Sequence, residues 1–467
     1  MTINILPDQV LLEIFDARRR MHDGPIYGSV WGWLELVHVC QRWRRLIFGS
    51  PRGLDVQILC THGTPVRESL DIWPPLPIAI HYHYDKSFTP YDANNLLAAL
   101  DNPDRLRRVD LYLTRAQLAE VVTVMQQPLP ALTHLSWSSV DDSTPPLSDS
   151  FLGGSTPCLQ YLHLDGIVYP ALSALLLSAR GLVYLSLGNI PETGYIPPES
   201  LVACLATLPK LESFDIEYFS VIPHTNRPRP PPVTRFLLPA LTSFDFQGHS
   251  EYLEALVFWI DSPRLNRLGV DYVNFFSRPD VQFPQLFKFI DRSKDPEFSV
   301  IKHADVIFSG HSVDFEAYPC LESSRESTRV VLLIECQQVE TQVFHISQVF
   351  SQPSTMLSRI VHLKLIQHAA DEEDLHIGEW LHLLRRFSTV RTLHVSRDFS
   401  ECIALALENA SGEMVVEVLP LVDLIFLEGL PASCITNFLK ARQLSDLPVT
   451  IIDTQAEFNE RVKSYFD

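Results

Sequence analysis

Residues 81–84 read His-Tyr-His-Tyr. Side chains alternate along an extended strand, so His81 and His83 share one face, and two imidazoles so placed are nitrogen donors for a divalent metal. No third ligand is spaced along the sequence to complete that site, so plain strand surface is expected, with no metal and no cofactor. Asp371-Glu372-Glu373-Asp374 has the chemistry of a cation site, but four acids leading into a helical stretch are accounted for by the positive end of the helix dipole. His376 and His382, in the same stretch, fall nearly opposite in helical phase and are expected at the surface. Pro228-Arg229-Pro230-Pro231-Pro232 has the composition of a polyproline II ligand, but a loop bulging from the repeat array is the expected reading. The sequence contains no phosphate-binding glycine loop, no Gly-x-Ser-x-Gly and no His-Glu-x-x-His, so bond-making chemistry is not expected.

The elements that would position such residues recur. The pattern apolar-x-x-apolar-x-apolar appears as Leu106/Val109/Leu111, Leu132/Leu135/Trp137, Leu159/Leu162/Leu164, Leu182/Leu185/Leu187, Leu211/Phe214/Ile216, Leu241/Phe244/Phe246 and Leu265/Leu268/Val270. Final positions are 26, 27, 23, 29, 30 and 24 residues apart. After Asp271 the phase blurs into strand-like runs at Ser299–Phe308 and Arg329–Cys336. It returns at Ile360/Leu363/Leu365, Val390/Leu393/Val395 and Leu421/Leu424/Phe426. Helical stretches are expected between strands at Arg115–Met125, Pro170–Ala179, Pro198–Leu208, Glu251–Ile260, Glu372–Phe387, Glu401–Asn409 and Ala432–Arg442. A strand and helix at this period bury their leucines only against neighbouring units, so the units must stack.

Over Leu106 to Asp446 the chain resembles the leucine-rich-repeat family, irregularly. The ninth position of that family's pattern, commonly Asn or Cys, is here Val140, Ile167, Ile190, His249 or Val273. The resemblance implies a right-handed α/β solenoid. A doubly wound sheet would be expected to carry glycine turns that are missing here. Leu54–Cys60 and Pro77–Tyr84 read as strands ahead of the array.

Composition bounds the partners. With 46% hydrophobic and 20% charged residues the chain should fold almost throughout. A net charge of −19 repels phosphate, which argues against nucleic acid and anionic membranes as partners. Cys40, Cys60, Cys158, Cys204, Cys320, Cys336, Cys402 and Cys434 are scattered singly, as reduced thiols are. Met1 to Asp8 carries no basic region before an apolar stretch, and no run reaches membrane-spanning length. A soluble protein of cytoplasm or nucleus is expected.

At the N-terminus, Leu6-Pro7-Asp8 opens a helix through Val10, Leu11, Ile14 and Phe15. A second apolar helical segment runs from Trp33 to Ile47. A module of about 45 residues with so much apolar surface sits near the size at which a core alone fails, so part of that surface should seek a partner. Leu6-Pro7, Ile14-Phe15 and Val39-Cys40-Gln41-Arg42-Trp43-Arg44-Arg45-Leu46 resemble the F-box, with a link from Ala17 to Trp33 longer and more glycine-rich than that family's usual one. The resemblance implies a trihelical hook on a Skp1-like adaptor, and through it a cullin–RING ubiquitin ligase. It further implies that Leu6, Pro7, Leu11, Ile14, Phe15, Val39, Cys40 and Trp43 lie at or support the contact. The alternative is a scaffold or inhibitor whose N-terminal helices only cap the array.

The expected organisation is therefore α/β: a helical module over 1–52, linking strands over 53–100, an irregular repeat solenoid over 101–450 and a terminal cap over 451–467. Residues flanking the buried positions of each strand should face the concave side. Across five units they include Tyr161, His163, Asp165, Tyr184, Asp215, Glu217, Asp245 and Asp271. Five of the fifteen flanking positions are acidic, against 56 of 467 overall, which suggests a stripe for a basic segment of a substrate protein.

Overall fold

The computed structural model describes residues 5–21, 33, 35–49, 56–61, 66–83, 93–141, 147–168, 172–218, 234–272, 283–319, 329–336, 339–351, 354–367, 377–410, 412, 414–452 and 454–463. The chain divides into two compact units, Met1–Tyr195 and Ile196–Asp467.

The first unit opens with α1 (Asp8–Met21) and α2 (Gln41–Gly49), with Trp33 and residues 35–37 also helical. Strands and helices then alternate: β1 (Ile58–Cys60), α3 (Val66–Ile72), β2 (Ile78–His83), α4 (Ala93–Leu100), β3 (Leu106–Leu113), α5 (Arg115–Val124), β4 (His134–Ser139), β5 (Tyr161–Asp165), α6 (Leu172–Ser178) and β6 (Tyr184–Ile190). β1 to β6 pair in chain order and all in parallel. One parallel strand per repeat is what the leucine-rich-repeat resemblance implies. Register puts like against like: Val109, Leu135, Leu162 and Leu185 form one row, and Leu111, Trp137, Leu164 and Leu187 the next. All eight are buried, each contributing roughly 1.5–3 kcal/mol relative to exposure.

Where the described residues of a repeat hold no α-helix the chain still covers its strand. Between β4 and β5 a turn at Phe151–Gly154 sets the Phe151 ring edge-on to Trp137, with centroids 5.2 Å apart. Gly153 turns there at φ 63°, and a Cβ on it would meet Pro128 at 2.6 Å. Glycine is therefore required on two counts.

The second unit contains α7 (Pro198–Leu205), β7 (Ser213–Tyr218), β8 (Ser243–Gly248), α8 (Ser250–Trp259), β9 (Arg267–Tyr272), α9 (Pro284–Asp291), β10 (His303–Phe308), β11 (Ser312–Tyr318) and β12 (Val330–Glu335). It continues through α10 (Val339–Val349), β13 (His362–Gln367), α11 (Ile377–Leu384), β14 (Thr392–Val395), α12 (Arg397–Asn409), β15 (Leu424–Leu427), α13 (Thr436–Leu444), β16 (Thr450–Ile452) and α14 (Gln455–Lys463). Among the described strands the parallel succession breaks once. β9 pairs with β12, β12 with antiparallel β11, β11 with antiparallel β10, and β10 resumes the parallel order with β13. The blurred phase after Asp271 is this inserted hairpin. At the far end Leu424, Phe426, Ile452, Phe458 and Val462 cluster, so α14 covers the apolar row of the last strands.

Among the described residues the helices expected between strands are found at their stated places, while the segment expected from Trp33 to Ile47 is interrupted at residues 38–40. Pro228–Pro232, Asp371–Asp374, His376 and most of the Ala17–Trp33 link lie outside the described residues. Among the described residues no helix is long and apolar enough to cross a membrane.

Candidate binding faces

The N-terminal helices sort their residues into two groups. Leu11, Phe15 and Trp43 are buried, with the Phe15 and Trp43 rings 4.7 Å apart. Arg42 ties the two helices, donating to Asp8 Oδ1 at 2.6 Å and to the Leu6 carbonyl at 2.6 Å. Leu6 and Cys40 are half-buried, whereas Pro7, Val10 and Ile14 are exposed. Ile5 is 75% exposed and Val39 57%. Of the residues named from the F-box resemblance, then, Leu11, Phe15 and Trp43 hold the helices together, and Pro7, Ile14 and Val39 are available to a partner. The same helices also meet the first repeat: Trp33 and Phe48 both lie edge-on to Trp73, at 5.8 and 5.7 Å.

On the face of the first unit's sheet opposite its buried rows, register makes three files of polar residues. His81, Asp110, Ser136, His163 and Ser186 are successive neighbours, as are His83, Tyr112, Ser138, Asp165 and Gly188. Asp110 Oδ2 lies 2.9 Å from His81 Nδ1 and 3.3 Å from His83 Nε2. Burial alone would raise the Asp110 carboxyl, but hydrogen bonds and charge from both imidazoles hold it well below the usual carboxylate range. His163 bonds Ser186 Oγ at 3.0 Å, and burial holds its imidazole down although Asp165 and Asp110 pull it up. In the third file Arg108 meets His134 at 3.4 Å, the His134 ring stacks on Tyr161, and Tyr161 stacks on Tyr184 with centroids 4.5 Å apart. Tyr161, His163, Asp165 and Tyr184 thus all belong to one face.

The corresponding face of the second unit is acidic. Asp215 neighbours Asp245 across β7 and β8, and Gln247 neighbours Asp271 across β8 and β9. Asp245 leans over Gly269, where a Cβ would meet its Oδ1 at 2.1 Å, so glycine makes room for the carboxylate. The hairpin adds Asp305, Asp314 and Glu316, and β12 adds Glu335, to Asp215, Glu217, Asp245 and Asp271. Within β7 to β12, among the described residues, eight acids stand against Arg267, with Lys364 on the neighbouring β13. Burial, then Glu335, Asp314 and Glu217, push the Asp271 carboxyl up to about 6. Like charges crowded this way repel one another until an opposite charge arrives.

Asp314 and Glu316 do not emerge from the leucine pattern, because β11 is antiparallel and carries no leucine. Its alternation of Val313, Phe315 and Ala317 with Asp314 and Glu316 was the available signal. Asp110 emerges neither as a neighbour of His81 nor of His83, since 27 residues separate it from His83 and only register joins them.

No family model matches this chain, and no curated protein matches it. Among solved structures, the leucine-rich-repeat-containing protein LegL7 from Legionella pneumophila aligns at 16% identity and a TM-score of 0.27, over 73% of this chain and 99% of its own. A TLR13–ssRNA13 complex aligns at 13% identity and a TM-score of 0.29, over 81% of this chain, which spans 48% of that one. The repeat architecture is carried by the strand register itself.

Proposed function

We propose that this chain is a protein-interaction receptor that takes a basic segment of a substrate protein on the acidic sheet face of its second unit. The observation that carries this reading is the set of eight carboxylates on β7 to β12, with Asp271 displaced toward neutrality by burial and, after it, by its acidic neighbours. Such a face gains most from lysine and arginine, which would relieve repulsion already present in the free protein.

In the fuller form of the proposal, α1 and α2 dock a Skp1-like adaptor through Pro7, Ile14 and Val39. The adaptor brings a cullin–RING ligase to the bound protein, in cytoplasm or nucleus, and the chain itself makes no bonds. Exposed apolar residues on a small helical module that has already buried Leu11, Phe15 and Trp43 support this part. A second reading, that the helices only cap the array, draws support from Trp33 and Phe48 packing on Trp73.

Two measurements test the proposal. Purified Skp1-like adaptor should bind the intact chain and lose binding to Ile14→Asp; equal binding by both sinks the docking residues, and binding by neither leaves the cap. Lysine-rich peptides should bind the intact chain and weaken with salt, by roughly tenfold or more when Asp215, Glu217 and Asp245 are together changed to Lys. Affinity unmoved by that triple change sinks the acidic face.

A further inference from the structure

We propose that His81, His83 and Asp110 form a binding site for a first-row divalent transition ion, with Zn²⁺ the ion their donors suit best. Two imidazole nitrogens and one carboxylate oxygen are a ligand set shared by zinc sites and by sites of neighbouring first-row metals. Ca²⁺ and Mg²⁺, which take oxygen ligands, are poor matches.

The geometry is that of ligands already gathered. One ligand atom from each residue lies within 4.8 Å of the other two. The two contacts to Asp110 Oδ2 are 2.9 and 3.3 Å, and a tetrahedral ion with bonds of about 2.0–2.1 Å separates its ligands by roughly 3.3–3.4 Å. The two Asp110 contacts therefore need a shift of no more than a few tenths of an ångström, with the two rings turning from the carboxylate oxygen toward the ion. The His81 and His83 rings stack, centroids 4.2 Å apart and 28° from parallel, and each presents a nitrogen to the same Asp110 oxygen.

The backbone holds these positions. His81 and His83 come from β2 and Asp110 from β3, in direct register through His81 and Asp110. The intervening residues Ile80, Tyr82, Val109 and Leu111 are buried on the other face. Sites carried by packed strands hold their ligands more closely than sites on loops. The three side chains are half-buried rather than sealed, so an ion can enter and keep a fourth position for water or for a group of a bound molecule. Tyr112, whose ring lies 6.0 Å from that of His83, stands beside this opening. The site is in the first unit and depends neither on the acidic face nor on the adaptor.

The test uses the full chain stripped with chelator and titrated calorimetrically with Zn²⁺, then with Co²⁺ while visible absorption is followed. One tight equivalent of Zn²⁺ is expected, with a Co²⁺ d–d band that Zn²⁺ displaces and Mg²⁺ does not. His83→Ala and Asp110→Ala should each weaken that equivalent at least roughly 100-fold, since even changes outside the ligand shell cost 10–100-fold. His83→Gln, at the more exposed ligand, keeps the measurement interpretable if Asp110→Ala unfolds, and circular dichroism reports which variants are folded. An undiminished equivalent in folded His83→Gln, or no Zn²⁺ bound by the intact chain at 100-fold excess, overturns the proposal.

Discussion

The Glu254 carboxylate accepts the backbone N–H of Leu286 at 2.9 Å, so an acid on α8 closes the amino end of α9. It also accepts the N–H of Gln285 at 2.8 Å. Two of the N–H groups that a helix start leaves without a partner are thereby satisfied from the neighbouring repeat. Burial nevertheless dominates the carboxyl, pushing it from 4.5 up to about 7 against the pull of those two N–H groups and Lys288.

A pH dependence follows from Glu254. Folded chain retains a proton that unfolded chain releases between 4.5 and about 7, so this stabilisation is complete below the lower value and is lost as pH rises through the upper. The slope is bounded by ~1.4 kcal/mol per pH unit. Urea unfolding from pH 4.5 to 8 should show that decline in the intact chain and a flatter profile in Glu254→Gln. Identical slopes would remove Glu254 as its source.

His303 and His362 act with the opposite sign. They neighbour each other across β10 and β13, with rings stacked at 4.5 Å, and Tyr318 stacks on the other side of His303. Burial, His362 and Lys302 hold His303 down at about 3, and burial and Lys302 hold His362 down at about 4. Both are neutral in the fold, so their contribution is present above 6.5 and is lost as pH falls toward those values. His303→Phe keeps a ring in the stack and removes one titration. Its unfolding free energy should fall less steeply between pH 6.5 and 4 than that of the intact chain, by up to ~1.4 kcal/mol per unit. Parallel profiles would count against the assignment.

How much of this was legible in the sequence depends on how far apart the cooperating residues lie. Leu162 and Leu185 announce themselves because each repeat writes the same local pattern, and a parallel strand per period follows from it. The hairpin from His303 to Tyr318 does not, because reversing direction at Ser309–Ser312 abolishes the period while keeping an ordinary two-residue alternation. The acidic face was seen only as far as Asp271, since its other half lies on that hairpin and on β12. Asp110 beside His81 needed the register of two strands, which no spacing along the chain encodes. The packing of Phe48 on Trp73 was likewise invisible, as either ring alone reads as an apolar helix residue.

The buried rows can be tested one residue at a time. Leu162 sits between Leu135 and Leu185 with no exposed surface. Leu162→Ala leaves a cavity that paired strands on both sides cannot readily close, and should cost ~2–5 kcal/mol. Tyr161→Ala, next along the strand on the open face, removes stacking instead, a contribution of roughly 0.5–1.5 kcal/mol beyond its area. Denaturant midpoints that fall equally for both would mean that the open face is packed as tightly as the core.

The N-terminal helices offer a sharper contrast, because one substitution reports on folding and another on docking. Trp43 is buried against Phe15, so Trp43→Ala should cost ~3–5 kcal/mol and loosen α1 from α2 whether or not anything binds there. Val39 is exposed at the start of the segment leading into α2, and Val39→Asp should change stability by no more than ~0.5 kcal/mol. If these helices dock an adaptor, Val39→Asp keeps the thermal midpoint of the intact chain and loses the adaptor, whereas Trp43→Ala loses both. A Val39→Asp midpoint lowered as far as that of Trp43→Ala would show Val39 covered by its own chain. The helices would then be a cap for the array, with the acidic face of the second unit as the binding surface that remains.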